Sequence, residues 1–205
     1  MKNNTIKIIL WDFGGVLTES PIKNFRKFEN ENNYLLDTII KINSNNKCKN
    51  AWAKLEKGEV SIEEFSKLFT EEAKEFGIKN INTSKLLKCL DVKLNTKMVK
   101  LLQHIAKFYT CACLTNNFKK MSASNFENIK KNFSLIVESS KIGMRKPEKK
   151  IYLYVLNLLK VNAEEILFID DLGINLKPAR ELGFHTYKFT NTSDTISFMK
   201  NMLNL

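Results

Sequence analysis

Apolar residues along this chain follow two rhythms. Five short runs, Ile6 to Asp12, Phe108 to Thr115, Leu135 to Ser139, Ile166 to Asp170 and His185 to Phe189, are aliphatic, β-branched or aromatic and bounded by turn or helix signals. Each predicts a buried strand. Helical spacing of apolar positions recurs over Lys97 to Lys107, Pro147 to Leu159, Ile174 to Leu182 and Asp194 to Leu203. Strands alternating with helices of this length predict right-handed crossovers and an α/β fold, a doubly wound parallel sheet. Ligands of such sheets bind at the carboxyl ends of the strands.

The stretch from Ser20 to Asn95 interrupts this alternation, being helical in pattern throughout. It predicts an inserted α-helical cap, 20–95, with the core formed by 1–19 and 96–205. Within AWAKLEKGEVSIEEFSKLF one helix ends near Gly58 and another begins at Ser61, where Ser61 and Glu64 form a capping box. Trp52, Leu55, Phe65 and Leu68 supply the faces by which these helices pack. The Asn-rich KINSNNKCKN, Lys41 to Asn50, predicts a mobile connection, and SDTISFMKNMLNL predicts a closing amphipathic helix, N-capped by Ser193, that packs on the sheet.

Four segments place phosphate chemistry at strand ends. Asp12 closes IILWD and is followed by Gly14 and Gly15, which let the chain turn sharply and approach a ligand. Thr115 and Asn116 follow a strand, offering a hydroxyl and a backbone N–H at the start of the next helix, where anions are favoured. Lys146 precedes Pro147, which suits a first helical turn, and its ammonium would pair with a phosphate and with Asp12. Asp170 and Asp171 end an apolar strand, and two adjacent carboxylates repel unless a cation or hydrogen bonds compensate them. Asn175, one helical turn later, can hold the acidic pair. Together these are a carboxylate nucleophile (Asp12), a phosphate-binding group (Thr115, Asn116, Lys146) and a metal site (Asp12, the Gly14 carbonyl, Asp170, Asp171). Oxygen ligands of this kind suit Mg2+. The kit serves phosphoryl transfer through an aspartyl-phosphate.

Composition narrows the setting. A chain of 205 residues fits one domain, or a core with a modest insertion, and 43% hydrophobic content with 14 Phe excludes a disordered chain. The apolar runs are too short to span a bilayer, and the N-terminal MKNNTIKIIL lacks a signal-peptide core, so a cytoplasmic protein without membrane contact is expected. Cys48, Cys89, Cys111 and Cys113 form no zinc spacing and read as reduced residues, the last two facing the same way from one strand. The net charge of +11 is spread over helices with interleaved acids, as in TEEAKEFGIK, which argues for solvated lysine-rich surfaces rather than nucleic-acid binding. The field would still concentrate an anionic substrate. The expected partner is a small phosphorylated molecule, and the expected state a monomer or homodimer.

The four segments in this order resemble the haloacid dehalogenase superfamily of hydrolases. The stretches IVESSKIGMRKPEKKIY, FIDDLGINLKPARELGFHTY and WAKLEKGEVSIEEF are similar to a branch containing the N-terminal phosphatase domain of bifunctional epoxide hydrolases, the N-terminal domain of acyl-CoA dehydrogenase fusions and small sugar-phosphate phosphatases. The resemblance implies a Rossmann-like core, a helical cap inserted after the first motif and magnesium-dependent phosphoester hydrolysis. It implies no second catalytic domain here.

One departure stands out. Phosphatases of the superfamily usually carry a second Asp two residues after the nucleophile, where this chain has Gly14. General acid–base catalysis contributes about 10²–10⁴-fold. Its absence implies a substrate with a good leaving group, such as an anomeric sugar, acyl or aryl phosphate, or a substitute acid from the cap or from Glu19. Two other readings remain open at this point: a metal-free 2-haloacid dehalogenase, a branch that also lacks this Asp, and a binding or regulatory module of low activity.

Overall fold

The computed structural model describes residues 6–118 and 129–204. The apolar runs form β1 (Ile8–Trp11), β2 (Thr110–Thr115), β3 (Leu135–Glu138), β4 (Ile166–Asp170) and β5 (His185–Lys188), joined in one all-parallel sheet of order β3-β2-β1-β4-β5. Residues 8–11 of β1 pair with 110–113 on one side and 166–169 on the other, so β1 is the central strand.

Side-chain alternation splits the core into two layers. Ile9, Trp11, Cys111, Cys113, Leu167 and Ile169 share one face with Met98 and Leu102 of α6 (Thr96–Ile105) and Met199 and Leu203 of the C-terminal helix (Thr192–Leu203). Ile8, Leu10, Ala112, Leu114, Ile166 and Phe168 share the other with Ile151, Tyr152 and Val155 of a helix at Lys149–Leu159 and Leu176 and Ala179 of one at Gly173–Glu181. With a short helix at Ser139–Ile142, these are α7 (Ser139–Ile142), α8 (Lys149–Leu159), α9 (Gly173–Glu181) and α10 (Thr192–Leu203). The fold is the doubly wound α/β sheet expected. Cys111 and Cys113 do face the same way, as free thiols, and burial pushes Cys111 up to about 11, which keeps it unreactive.

Several boundaries differ from expectation for local reasons. Phe108 lies outside β2 and is 64% exposed, because its N–H and that of Tyr109 close the last turn of α6 on the Ile105 carbonyl. Helix α10 starts two residues before Asp194, and its N-cap is Asn191, whose side chain accepts from the Asp194 N–H, rather than Ser193.

Between β1 and β2 run α1 (Ile22–Glu31), α2 (Thr38–Ser44), α3 (Ala51–Glu56), α4 (Ile62–Lys74) and α5 (Thr83–Lys88) before α6. They enclose a cluster of their own, in which Trp52 meets Phe25, Phe65 and Phe69 edge-on and Phe65 stacks on Phe69 at 5.3 Å. Both halves of the Ser61–Glu64 capping box form, at 3.1 and 2.8 Å. Lys41 to Asn50 is not a loose connection. Its first residues belong to α2, and Asn50 pins the rest by donating to the Asn43 and Asn45 carbonyls and accepting from the Ala53 N–H that opens α3.

The two chain segments entering and leaving these helices lie side by side. The Glu19 N–H donates to the Lys93 carbonyl at 2.8 Å and the Asn95 N–H to the Leu17 carbonyl at 2.9 Å, around an antiparallel bridge between Thr18 and Leu94. Among the described residues no helix is long and apolar enough to cross a membrane.

Candidate active site

Asp12 directly follows β1, and its N–H donates to the Ile169 carbonyl at 2.9 Å, holding it in line with the sheet. Its Oδ1 accepts from the Phe13 N–H and lies 2.7 Å from Lys146 Nζ. Its Oδ2 has no donor among the described residues. Lys146, 1% exposed, also places Nζ 2.7 Å from Asp170 Oδ2 and 5.6 Å above the Phe168 ring. A single buried ammonium thus bridges the ends of the two adjacent strands β1 and β4.

Asp170 is fully buried and fully bonded. Asn175 Nδ2, from the first turn of α9, donates to both its oxygens at 3.0 and 3.1 Å, and the Leu172 N–H donates to Oδ1 at 2.8 Å. Tyr152 reinforces this by donating its hydroxyl to the Asn175 carbonyl at 2.7 Å. With Lys146 added, Asp170 serves mainly to hold its neighbours. Asp171 differs: it is half-buried and receives no hydrogen bond from another described residue.

The paired glycines divide the work of the first turn. A Cβ at Gly15, whose φ is +76°, would lie 2.3 Å from Asp171 Oδ2, so only glycine brings the turn this close to the carboxylate. Gly14 has open space around a Cβ, and its carbonyl accepts no hydrogen bond among the described residues. Thr115 ends β2, 3% exposed, its hydroxyl unpartnered among the described residues. The helix expected after Asn116 falls largely on 119–128, outside the described residues. The Asn116 side chain is engaged with Lys146 and Glu56. Its Oδ1 accepts from the Lys146 N–H at 2.8 Å and its Nδ2 donates to the Lys146 carbonyl at 3.0 Å. Pro147 precedes helix α8, whose N-cap is Glu148, rather than opening it.

Three carboxylates face one ammonium here. Burial pushes Asp12 well above the ordinary carboxylate range, Lys146 pulls it back, and Asp170 and Asp171 add to the rise. Burial, and then the charge of Asp170, push Asp171 up to about 6. Burial works against the Lys146 charge, but Asp12 and Asp170 outweigh it and hold the ammonium charged. Oxygens of Asp12, Asp170 and Asp171 lie within 4.8 Å of one another, and this surplus of negative charge fits a divalent cation that prefers oxygen. The oxygens not already hydrogen-bonded belong to Asp12, Asp171 and the Gly14 carbonyl.

A family model described as haloacid dehalogenase-like hydrolase matches residues 6–183. The chain belongs to the haloacid dehalogenase-like hydrolase family. Among curated relatives of this hydrolase, mouse acyl-CoA dehydrogenase family member 10 is 31% identical over 203 residues, covering 96% of the chain and 19% of that protein. Rat bifunctional epoxide hydrolase 2 is 35% identical over 96 residues, covering 44% of the chain and 17% of its own length. The hydrolase thus spans under a fifth of these relatives. A HAD family enzyme from Bacteroides thetaiotaomicron, solved with magnesium and inorganic phosphate, matches with a TM-score of 0.65 at 26% identity over 90% of the chain and 94% of that structure. L-2-haloacid dehalogenase from Xanthobacter autotrophicus shares the fold, with a TM-score of 0.63 at 16% identity over 95% of the chain and 82% of that structure.

Three groups at the site escape the sequence pattern. The Phe13 N–H is a backbone donor, which no side-chain pattern marks. Arg145 stands unremarked beside Lys146. Glu56 lies 60 residues from its partner Asn116, so nothing local in the chain marks it.

Proposed function

We propose that this hydrolase is a magnesium-dependent phosphatase acting on a small phosphorylated metabolite, with Asp12 as nucleophile. The observation that carries the reading is the Asp12, Asp170 and Asp171 cluster, whose negative charge exceeds what Lys146 neutralises. Displacement at carbon by a lone carboxylate has no use for Asp171, whereas an anionic phosphoryl group needs added positive charge beside Asp12. The Bacteroides relative solved with magnesium and phosphate supports the same choice.

The chemistry follows from the residues. Lys146 and the Phe13 N–H hold Asp12 Oδ1, leaving Oδ2 for in-line attack on phosphorus. The Thr115 hydroxyl and Asn116 N–H donate to phosphoryl oxygens, and Lys146 offsets the charge developing there. Asp171 and the Gly14 carbonyl, with Asp12 and Asp170 beside them, would hold magnesium, which when bound would supply Lewis-acid neutralisation of the phosphate. Water then cleaves the aspartyl-phosphate. No acid stands at Gly14. Glu19 is exposed and lines a cavity with Gly15, Lys23 and Asp91 without a hydrogen bond among the described residues that aims its carboxyl at Asp12, and the oxygens of Glu56 are taken by Trp52, Asn116 and Arg145. Both points favour a substrate whose leaving group departs unaided.

The test is hydrolysis of para-nitrophenyl phosphate with and without magnesium, by wild type and Asp12→Asn. Magnesium-dependent turnover lost in the variant supports the reading; halide release from 2-haloacids that persists in EDTA overturns it.

A further inference from the structure

Lys146 has an unusual support. It lies between α7 and α8 in irregular chain, yet its ammonium must meet two carboxylates at 2.7 Å. What fixes its backbone is one side chain, Asn116, which bonds both its N–H and its carbonyl. The amide's nitrogen also donates to Glu56 Oε2 at 3.0 Å, at the end of α3 in the helical segment. Glu56 Oε2 lies 2.7 Å from Nε of Arg145, the residue before Lys146, while Trp52 Nε1 donates to Oε1 at 3.1 Å.

The surrounding seam is equally close. Ser139 donates its hydroxyl to the Glu56 carbonyl at 2.6 Å, Arg145 Nη1 donates to the Lys47 carbonyl at 2.7 Å, and a Cβ at Gly58 would lie 2.7 Å from the Ser140 carbonyl. A carboxylate from the helices therefore touches both residues that bracket the catalytic amine in contact and in sequence, and nothing in the chemistry above uses it.

We propose that Glu56 is a positioning residue for Lys146: by orienting the Asn116 amide and holding Arg145, the docked end of α3 sets the backbone from which the Lys146 ammonium reaches Asp12. The proposal rests on the phosphatase reading for its kinetic consequence but not for its geometry. Full catalytic geometry would then require the α3 end to be seated on the core.

The experiment compares Glu56→Gln, which keeps an acceptor for Asn116, with Glu56→Met, which keeps the volume but no acceptor, on acetyl phosphate and on para-nitrophenyl phosphate. Glu56→Met is expected to lower kcat about tenfold or more on both substrates with KM within about twofold, since small displacements of a positioned group lower rates steeply. Glu56→Gln should retain kcat to within about threefold, and adding Asn116→Ala to Glu56→Met should cost no more than Asn116→Ala alone, as expected of residues acting in series. Equal losses in the Gln and Met variants, a loss confined to the bulkier ester, or additive losses would overturn the proposal. The proton–nitrogen NMR signal of the Lys146 ammonium, assigned by its absence in Lys146→Met, gives a reading free of turnover. It should shift or broaden in Glu56→Met and stay unchanged in the exposed control Glu71→Gln. Should wild type hydrolyse no phosphate ester, the phosphatase reading fails while this signal still decides the coupling; an unmoved signal in Glu56→Met sinks the proposal.

Discussion

The floor of the site and the helices docked against it are both densely built, but by different means. On the floor, Lys146, Asp170 and Asn175 are buried polar groups matched donor to acceptor with each other and with Asp12 Oδ1, across β1, β4 and α9. In the helical segment, Trp52, Phe25, Phe65 and Phe69 hold together by ring contacts that specify shape but not particular atoms. The first arrangement fails when one atom is lost, because a buried charge is left unpaired. The second degrades with volume removed and tolerates swaps of similar size. The charged groups proposed to do the chemistry thus sit in the part matched atom by atom, while the helical part is held by shape.

The sharpest test of this contrast is Lys146→Met. Turnover should fall by about 10³-fold, and the metal-free protein should lose about 3–5 kcal/mol in denaturant unfolding, since buried Asp12 and Asp170 lose their shared ion-pair partner. A stable, active variant would break the comparison outright. Next comes Phe69→Ala, expected to lower stability by about 3–5 kcal/mol while leaving the rate at low temperature within about threefold, and Phe69→Leu much less on both counts. If Phe69→Ala abolished turnover in folded protein, the two regions would not be separable in this way.

A gain is expected from Gly14→Asp. The position has room for a side chain, and an acid there should raise kcat/KM on an alkyl phosphate by about 10²-fold, with little change on an aryl phosphate whose leaving group needs no proton. The smallest effect concerns magnesium and pH. Asp171, raised to about 6, is mostly ionised at pH 7.5 and mostly protonated at pH 5.5, so magnesium must displace a proton at the lower pH. Affinity, read by metal-dependent thermal shift, should drop about fourfold over that interval, as follows from the fraction ionised. A rise in affinity on acidification would mean that Asp171 is not a ligand.

What the sequence made legible was whatever depends on neighbours in the chain. Short apolar runs placed all five strands, and residues at strand ends such as Asp12, Thr115 and Asp170 lie at one edge of the sheet because a parallel sheet aligns its carboxyl ends. Phe108 misled because an aromatic beside a strand reads as strand, while the helix before it needed the same peptide groups for its last turn. Lys41 to Asn50 looked mobile from its polarity, yet Asn50 uses that polarity to tie the segment down. Least legible was Asn116. Its side chain reads as an ordinary helix cap beside an anion-binding backbone N–H, and the partners that decide its role, Glu56 and Lys146, lie 60 and 30 residues away.

The paired segments at Leu17–Glu19 and Lys93–Asn95 have a consequence for how such a molecule diversifies. Because both leave the core through one narrow antiparallel neck, the sheet experiences the helices between them as a single surface loop, whatever their number. A different helical unit with adjacent ends could be grafted onto that neck and leave the strand register untouched. Its remaining obligation would be to present an acceptor where Glu56 now meets Asn116.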